Sequence, residues 1–245
     1  MRDDVRGDAG DEVGMRERSA LLAHLMGLTA ALPASEPLAW RLCQATCRLV
    51  QADGGSIAVV ATTGERTVVA STNTTATDLE RIHDDLGDGP AVVAIDVDEV
   101  VTADIARADS RWPQFSEVAA RRTPVVTATA VPMHSGSAVL GTMLLHRTAR
   151  GPLRAATQEL VHLADVVAVA VVHEAREAAG ATPASWDGRR EINQAVGMVM
   201  AQLAVPAPDA LAVLRAHAFA LDEGLADVAA AVLARRLDFG PDVPP

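Results

Sequence analysis

Residues 1–18, "MRDDVRGDAGDEVGMRER", mix charge with glycine and show no apolar period. That composition predicts a disordered tail. Apolar spacing begins at residue 19. "SALLAHLMGLTAAL" (19–32) reads as an amphipathic helix, ended by "PASEP". In "LAWRLCQATCRLVQA" (38–52), Leu38, Leu42, Ala45 and Leu49 fall on one helical face. The character then changes. "SIAVVA" (56–61) and "RTVVAS" (66–71) are β-rich runs joined by "TTGE", which predicts a hairpin. "TDLERIHDDL" (77–86) is a short helix and "GDGP" (87–90) a turn. "RWPQFSEVAARR" (111–122) is a helix entered through Pro113. "VVTATAVPM" (125–133) and "AVLGTMLLH" (138–146) flank the turn "HSGS" as a second hairpin. A helix over 155–177 follows, about 35 Å long.

Strand pairs separated by helices and closed by a long helix predict an α+β domain, an antiparallel sheet with helices packed on it. It would span 19–178. "AGATPAS" (179–185) reads as a linker, and 186–245 are purely helical in pattern. The first helix covers 186–203, with Ile192, Ala195, Val196, Val199 and Leu203 as its core stripe. The second begins at Asp209, presents Leu211, Leu214, Ala218 and Leu221 to the core, and ends with Gly224 as a C′ residue. The third, from Leu225, packs through Val228, Ala229, Val232 and Leu233. This is an all-α three-helix bundle.

Composition narrows what such a chain does. Its apolar share of 49% contains no Tyr and only three Phe and three Trp, so the core is built from aliphatic residues. The net charge of −11 argues against broad, non-specific affinity for nucleic acid. Binding to phosphate would need a local basic patch. Cys43 and Cys47 lie one turn apart on one apolar helix and read as core thiols, in a cytoplasmic protein. The acid-rich start lacks the basic region of a signal peptide, and the 19–32 run is short of the roughly 20 residues that span a bilayer. No membrane association is expected.

Reactive constellations are missing from the sequence. It contains no G-x-S-x-G, no P-loop, no paired H-x-x-x-H and no G-x-G-x-x-G after a strand. His162 and His173 stand too far apart to share a metal, "IHDDL" (82–86) reads as a solvated face, and His134 and Ser135 belong to a turn. The expectation is a protein that is not an enzyme, with no catalytic residue, metal or cofactor.

The bundle carries the remaining chemistry. Arg189 and Arg190 precede its first helix, Arg215 lies off the core face of the second, and Arg235 and Arg236 extend past the third. Against these five arginines stand eight carboxylates, a net of −3. Gln194 offers an amide for a base edge. Gly197, in mid-helix, costs about 1 kcal/mol against Ala and marks a close approach of another helix or a ligand.

Residues 190–239 resemble an ANTAR domain, the RNA-binding three-helix module of transcription antitermination regulators. The features that match are "INQAVGMVM" in the first helix, Ala210 and "LRAHA" in the second, and "LADVAAAVLARRL" in the third. Residues 35–177 resemble a GAF domain of the kind found ahead of ANTAR in actinobacterial proteins, through "LGDGP", "ADSRWPQFSEVAARR" and "VPMHSGSAVLGTMLLHR". Val196 stands where many ANTAR domains carry a basic residue, and Ala91 after "GDGP" offers no thiol. The resemblance implies a GAF sensor, with a small-molecule ligand of unspecified class, controlling a module that binds paired hairpins in leader RNA. Arg189, Arg190, Gln194, Arg215, Arg235 and Arg236 would meet the RNA, in a homodimer that places two modules on two hairpins. The alternative is a ligand-sensing or protein-interaction regulator whose bundle dimerises without binding RNA.

Overall fold

The computed structural model describes residues 5–60, 66–177, 187–221 and 223–239, with side chains left out at 5–13, 173 and 175–190. The hairpin turn at 61–65, the linker and the extreme C-terminus lie outside the described residues. In chain order the elements are helices α1 (Val5–Ala30) and α2 (Leu38–Val50), strands β1 (Gly54–Val60) and β2 (Arg66–Ser71), helices α3 (Thr74–Leu86) and α4 (Pro90–Val97), strand β3 (Val101–Asp104), helix α5 (Pro113–Arg122), strands β4 (Thr127–Ser135) and β5 (Ala138–Arg147), and helices α6 (Thr157–Glu177), α7 (Asp187–Leu203), α8 (Ala207–Leu221) and α9 (Leu225–Leu233).

Five strands form one sheet in the order β2-β1-β5-β4-β3, with every pair antiparallel. Alternation along the strands divides the core into two layers. Ile57, Val131, Met133, Met143 and Leu145 point to one face and meet Leu42, Cys43 and Cys47 of α2 and Leu163 and Val167 of α6. Ala103, Ala128, Ala130 and Leu144 point to the other, where Leu79 and Ile82 of α3, Ala91 and Ala94 of α4, and Phe115 of α5 cover them. The large sheet residues face α2 and α6. The small ones let α3, α4 and α5 sit close. Both cysteines are free and buried; the hydrogen bond with Cys47, which favours the protonated Cys43 thiol, and burial push the Cys43 pKa well above its ordinary value.

The sequence "LGDGPA" turns the chain between α3 and α4. Asn73 caps the start of α3, its Oδ1 accepting from the Ala76 amide at 2.8 Å. Gly87, at φ 64, ends α3 in the left-handed region. Gly89, at φ 120, brings the backbone against His83 and Phe115, where a Cβ would fall 2.9 and 2.8 Å from their rings. Pro90 then opens α4.

The third core joins α7, α8 and α9 through Ala195, Val196, Val199, Ala210, Leu214, Ala218, Leu225, Val228, Ala229 and Val232. The stripe expected on α7 is therefore its packing face, and Val196 is part of it.

Several sequence expectations differ from the structure. Residues 5–18, expected as a disordered tail, continue α1 as helix; the Met15–Arg18 stretch consists of good helix formers, which outweigh the missing apolar period. Helix α4 and strand β3 were not anticipated. "PAVVAIDV" is apolar nearly throughout and has no period, and "VTAD" is too short to show one. Helix α8 starts at Ala207 instead of Asp209. Gly224 is not the C′ residue of α8: with φ −74 it is the N-cap of α9. Leu221, assigned to the core, is exposed. "IHDDL" is not a solvated face: His83 is fully buried, the Asp84 carboxylate lies 3.6 Å from Nη1 of Arg66 while its carbonyl accepts from Arg215, and the Asp85 carboxylate accepts from the Leu225 amide of the bundle.

Candidate functional site

Among the described side chains expected to meet RNA, Arg215 is drawn to the α+β domain, while Arg235 and Arg236 sit together after α9. Arg189 and Arg190 lie in the first turn of α7, and their side chains lie outside the described residues. Gln194 and Gly197 share the exposed face of α7. A Cβ on Gly197 would meet nothing within 4 Å. The close approach expected there is thus not made by any described part of this chain, and Gly197 is an open surface position.

Arg235 and Arg236 occupy the turn after α9 and are exposed. Its shape is held from several sides. Arg235 takes φ 55, the Arg236 amide donates to the Ala231 carbonyl at 2.9 Å and the Leu237 amide to the same carbonyl at 3.2 Å. This back-bonding closes the helix end. Beyond it, Phe239 stacks edge-on against His217 of α8, with ring centroids 5.3 Å apart, and its amide donates to Oε1 of Gln202 on α7 at 3.2 Å. Two cations are therefore presented by a turn fastened to both other helices.

Arg215 behaves differently. It leaves the bundle and reaches the end of α3, where its Nε donates to the Asp84 carbonyl at 3.1 Å. Burial pulls its pKa down, opposed by Asp84 and Asp85. The neighbouring Asp85 accepts from the Leu225 amide at 2.8 Å and lies 3.8 Å from Nη1 of Arg122. Burial raises the Asp85 pKa, and the Leu225 amide and Arg122 act against that rise. A cavity of about 40 Å³ remains in this seam, bounded by Leu86, Val118, Ala218 and Phe219 among others. Sequence reasoning missed Asp84, Asp85 and Gly87. A signal was present: two carboxylates in the last turn of a helix oppose its dipole and call for a partner from elsewhere.

Further along α3, Glu80 accepts from Ser56 Oγ at 2.6 Å and from Arg66 Nη2 at 2.7 Å. Burial raises the Glu80 pKa, but Arg66, His83 and the two hydrogen bonds outweigh it and leave it lowered. His83 Nδ1 lies 2.7 Å from the Leu79 carbonyl, and Nε2 accepts from the Ala91 amide at 3.2 Å. These partners select the Nδ1–H tautomer. Burial pushes the His83 pKa down to about 4, so the ring is neutral near pH 7. Elsewhere, His134 of β4 joins Asp98, at the end of α4, at 2.6 Å and Asp165 of α6 at 2.7 Å. Among the described residues no group of three His, Cys, Asp or Glu is placed to hold a metal ion.

The sequence matches the GAF domain family over residues 35–172 and the ANTAR domain family over residues 183–233. No curated protein matches the chain. Among solved structures it is similar to the GAF domain of a phosphoenolpyruvate-protein phosphotransferase from Coxiella burnetii, with 18% identity and a TM-score of 0.49, covering 67% of this chain and 97% of that one. It is similar also to the corresponding GAF domain from Acinetobacter, with 14% identity and a TM-score of 0.48, covering 67% of this chain and 98% of the other.

Proposed function

Because the chain belongs to the GAF domain family and carries an ANTAR domain, we propose that it is a regulator of transcription antitermination that binds paired hairpins in leader RNA under control of its α+β sensor domain. A small molecule bound by the sensor domain supplies the signal. The observation that carries the RNA reading is the fastened turn after α9. It exposes Arg235 and Arg236 while α8 and α7 hold its far side through Phe239. A pair of cations on a fixed turn suits phosphate contact. Gln194 and Gly197 on α7 add an amide and an open helix face on which a nucleic-acid backbone can lie close.

A two-hairpin RNA needs two such modules, so the working form is a homodimer. Met15 and Met26 lie eleven residues apart on α1, on one face of the helix, and are exposed, as is Val169 on α6. These apolar groups support pairing through the outer helical layer. Among the described residues no single helix is long and apolar enough to cross a membrane, and a protein acting on transcripts works in the cytoplasm.

The test is a titration of the full chain with a leader RNA of two adjacent stem-loops, repeated over a range of salt. The expected stoichiometry is two chains per RNA. Arg235→Ala with Arg236→Ala is expected to weaken binding and to reduce the slope of log K against log salt by about 2, roughly one per lost phosphate contact. A slope unchanged by the double substitution would remove these residues from the interface. No binding by the wild type at low salt would favour a bundle that only dimerises.

A further inference from the structure

We propose that the end of α3 is a latch that docks the bundle onto the sensor domain and masks Arg215 from RNA. This rests on the RNA-binding reading above. The two domains exchange helix-end groups across the seam. Arg215 of α8 brings a cation to the C-terminal carbonyls of α3, at 3.1 Å from the Asp84 oxygen, where the dipole favours positive charge. In return, Asp85 of α3 brings a carboxylate to the N-terminus of α9, 2.8 Å from the Leu225 amide. The N-cap of α9 is Gly224, which has no side chain to make that bond. Each domain thus completes a helix end that the other leaves unsatisfied.

Two features make the contact reversible. The seam holds a half-open crevice of about 40 Å³ beside Phe219, which stays exposed, and polar contacts of this kind between domains of one chain leave relative motion open. The bonds from Arg215 to the Asp84 carbonyl and from the Leu225 amide to Asp85 lie together in it. While they hold, the Arg215 guanidinium lies against Gly87: a Cβ there would stand 2.6 Å from Nη1. In that position it is turned toward α3 and cannot contact a phosphate. Release of α3 returns a cation to the bundle and removes two carboxylates from beside it.

Helix α3 is suited to carry the signal because its other face belongs to the sensor core. Glu80 and His83 are held there by Ser56, Arg66 and the start of α4. Asp84 and Asp85 follow His83 directly in sequence. A rearrangement against the sheet that shifts or unwinds the last turn of α3 moves the latch without passing through the linker.

Two substitutions in the full chain separate docking from RNA binding. Asp85→Ala removes the acceptor for the Leu225 amide, and Gly87→Ala displaces the Arg215 guanidinium. Hydrogen exchange at Leu225 and in the first turn of α9 reads docking, and affinity for the two-hairpin RNA at fixed salt reads masking. Both variants are expected to speed that exchange about fivefold, the size of a lost N-cap bond, and to tighten RNA binding by up to a similar factor. Asp85→Asn, which keeps an acceptor oxygen, should stay near wild type. Adding Arg215→Ala should abolish the gain in affinity and leave the faster exchange. Unchanged exchange in both variants overturns the latch, and faster exchange without tighter binding overturns the masking. If neither the wild type nor any variant binds RNA at low salt, the RNA reading itself falls, and the masking with it.

Discussion

His83 and His146 show how burial sets chemistry one residue at a time. Both are almost fully buried, and in both burial is the main force that pushes the pKa down to about 4. His146 has no hydrogen-bond partner for Nδ1 among the described residues. In the unfolded chain each ring titrates near 6.5. Between pH 6.5 and 4 the unfolded state therefore binds protons that the folded state refuses, and stability is lost as pH falls through that window. Each histidine should account for about 2 kcal/mol of lost stability at pH 5 relative to pH 8. Urea unfolding at the two pH values checks this, and His83→Gln should remove a good part of the difference. His134 has the opposite sign: hydrogen bonding to Asp98 and Asp165 raises its pKa, so its contribution is complete at low pH and fades as pH rises through the raised value. The arginines were legible in the sequence as charges, but their partners were not. Arg215 is an ordinary cation until α3 supplies a carbonyl from 131 residues away in the chain.

At the scale of elements, the chain was readable wherever a period of 3.6 or 2 ran long enough. α2, α5, both hairpins, the long α6 and the packing stripe of α7 follow their patterns. α4 and β3 did not show because an element apolar on all sides, or only four residues long, has no period to read. The glycines of "GDGP" were legible as a turn, but their pressure on His83 and Phe115 needed the tertiary structure. The β1–β5 pairing gives a sharper test of packing. A Cβ on Gly141 would collide with the carbonyl oxygen of Ala58 on the facing strand, and main chain cannot yield as a flexible side chain can. Gly141→Ala should therefore destabilise the α+β domain by about 2 kcal/mol or more, in the range of overpacked cores. Thermal unfolding of the variant measures it, and a midpoint equal to wild type would mean that the strands separate more easily than their register implies.

For the whole molecule, the sheet domain and the bundle meet at a seam that includes polar bonds from α3, and the sequence of each domain accounts for its own fold better than for the seam. The family of each domain could be read from motifs that are mostly packing residues, such as Ala195, Val196 and Val199 in α7. The surface proposed to meet RNA and the contact proposed to control it draw on charges from α3, α8 and the turn after α9. Whether this chain changes the fate of a transcript is measured directly by transcription in vitro through a leader whose second stem-loop competes with a terminator, with and without the full chain. Readthrough is expected to rise with chain concentration and to fall back with Arg235→Ala plus Arg236→Ala. Readthrough that stays constant at concentrations where the RNA is saturated with wild-type chain would contradict it.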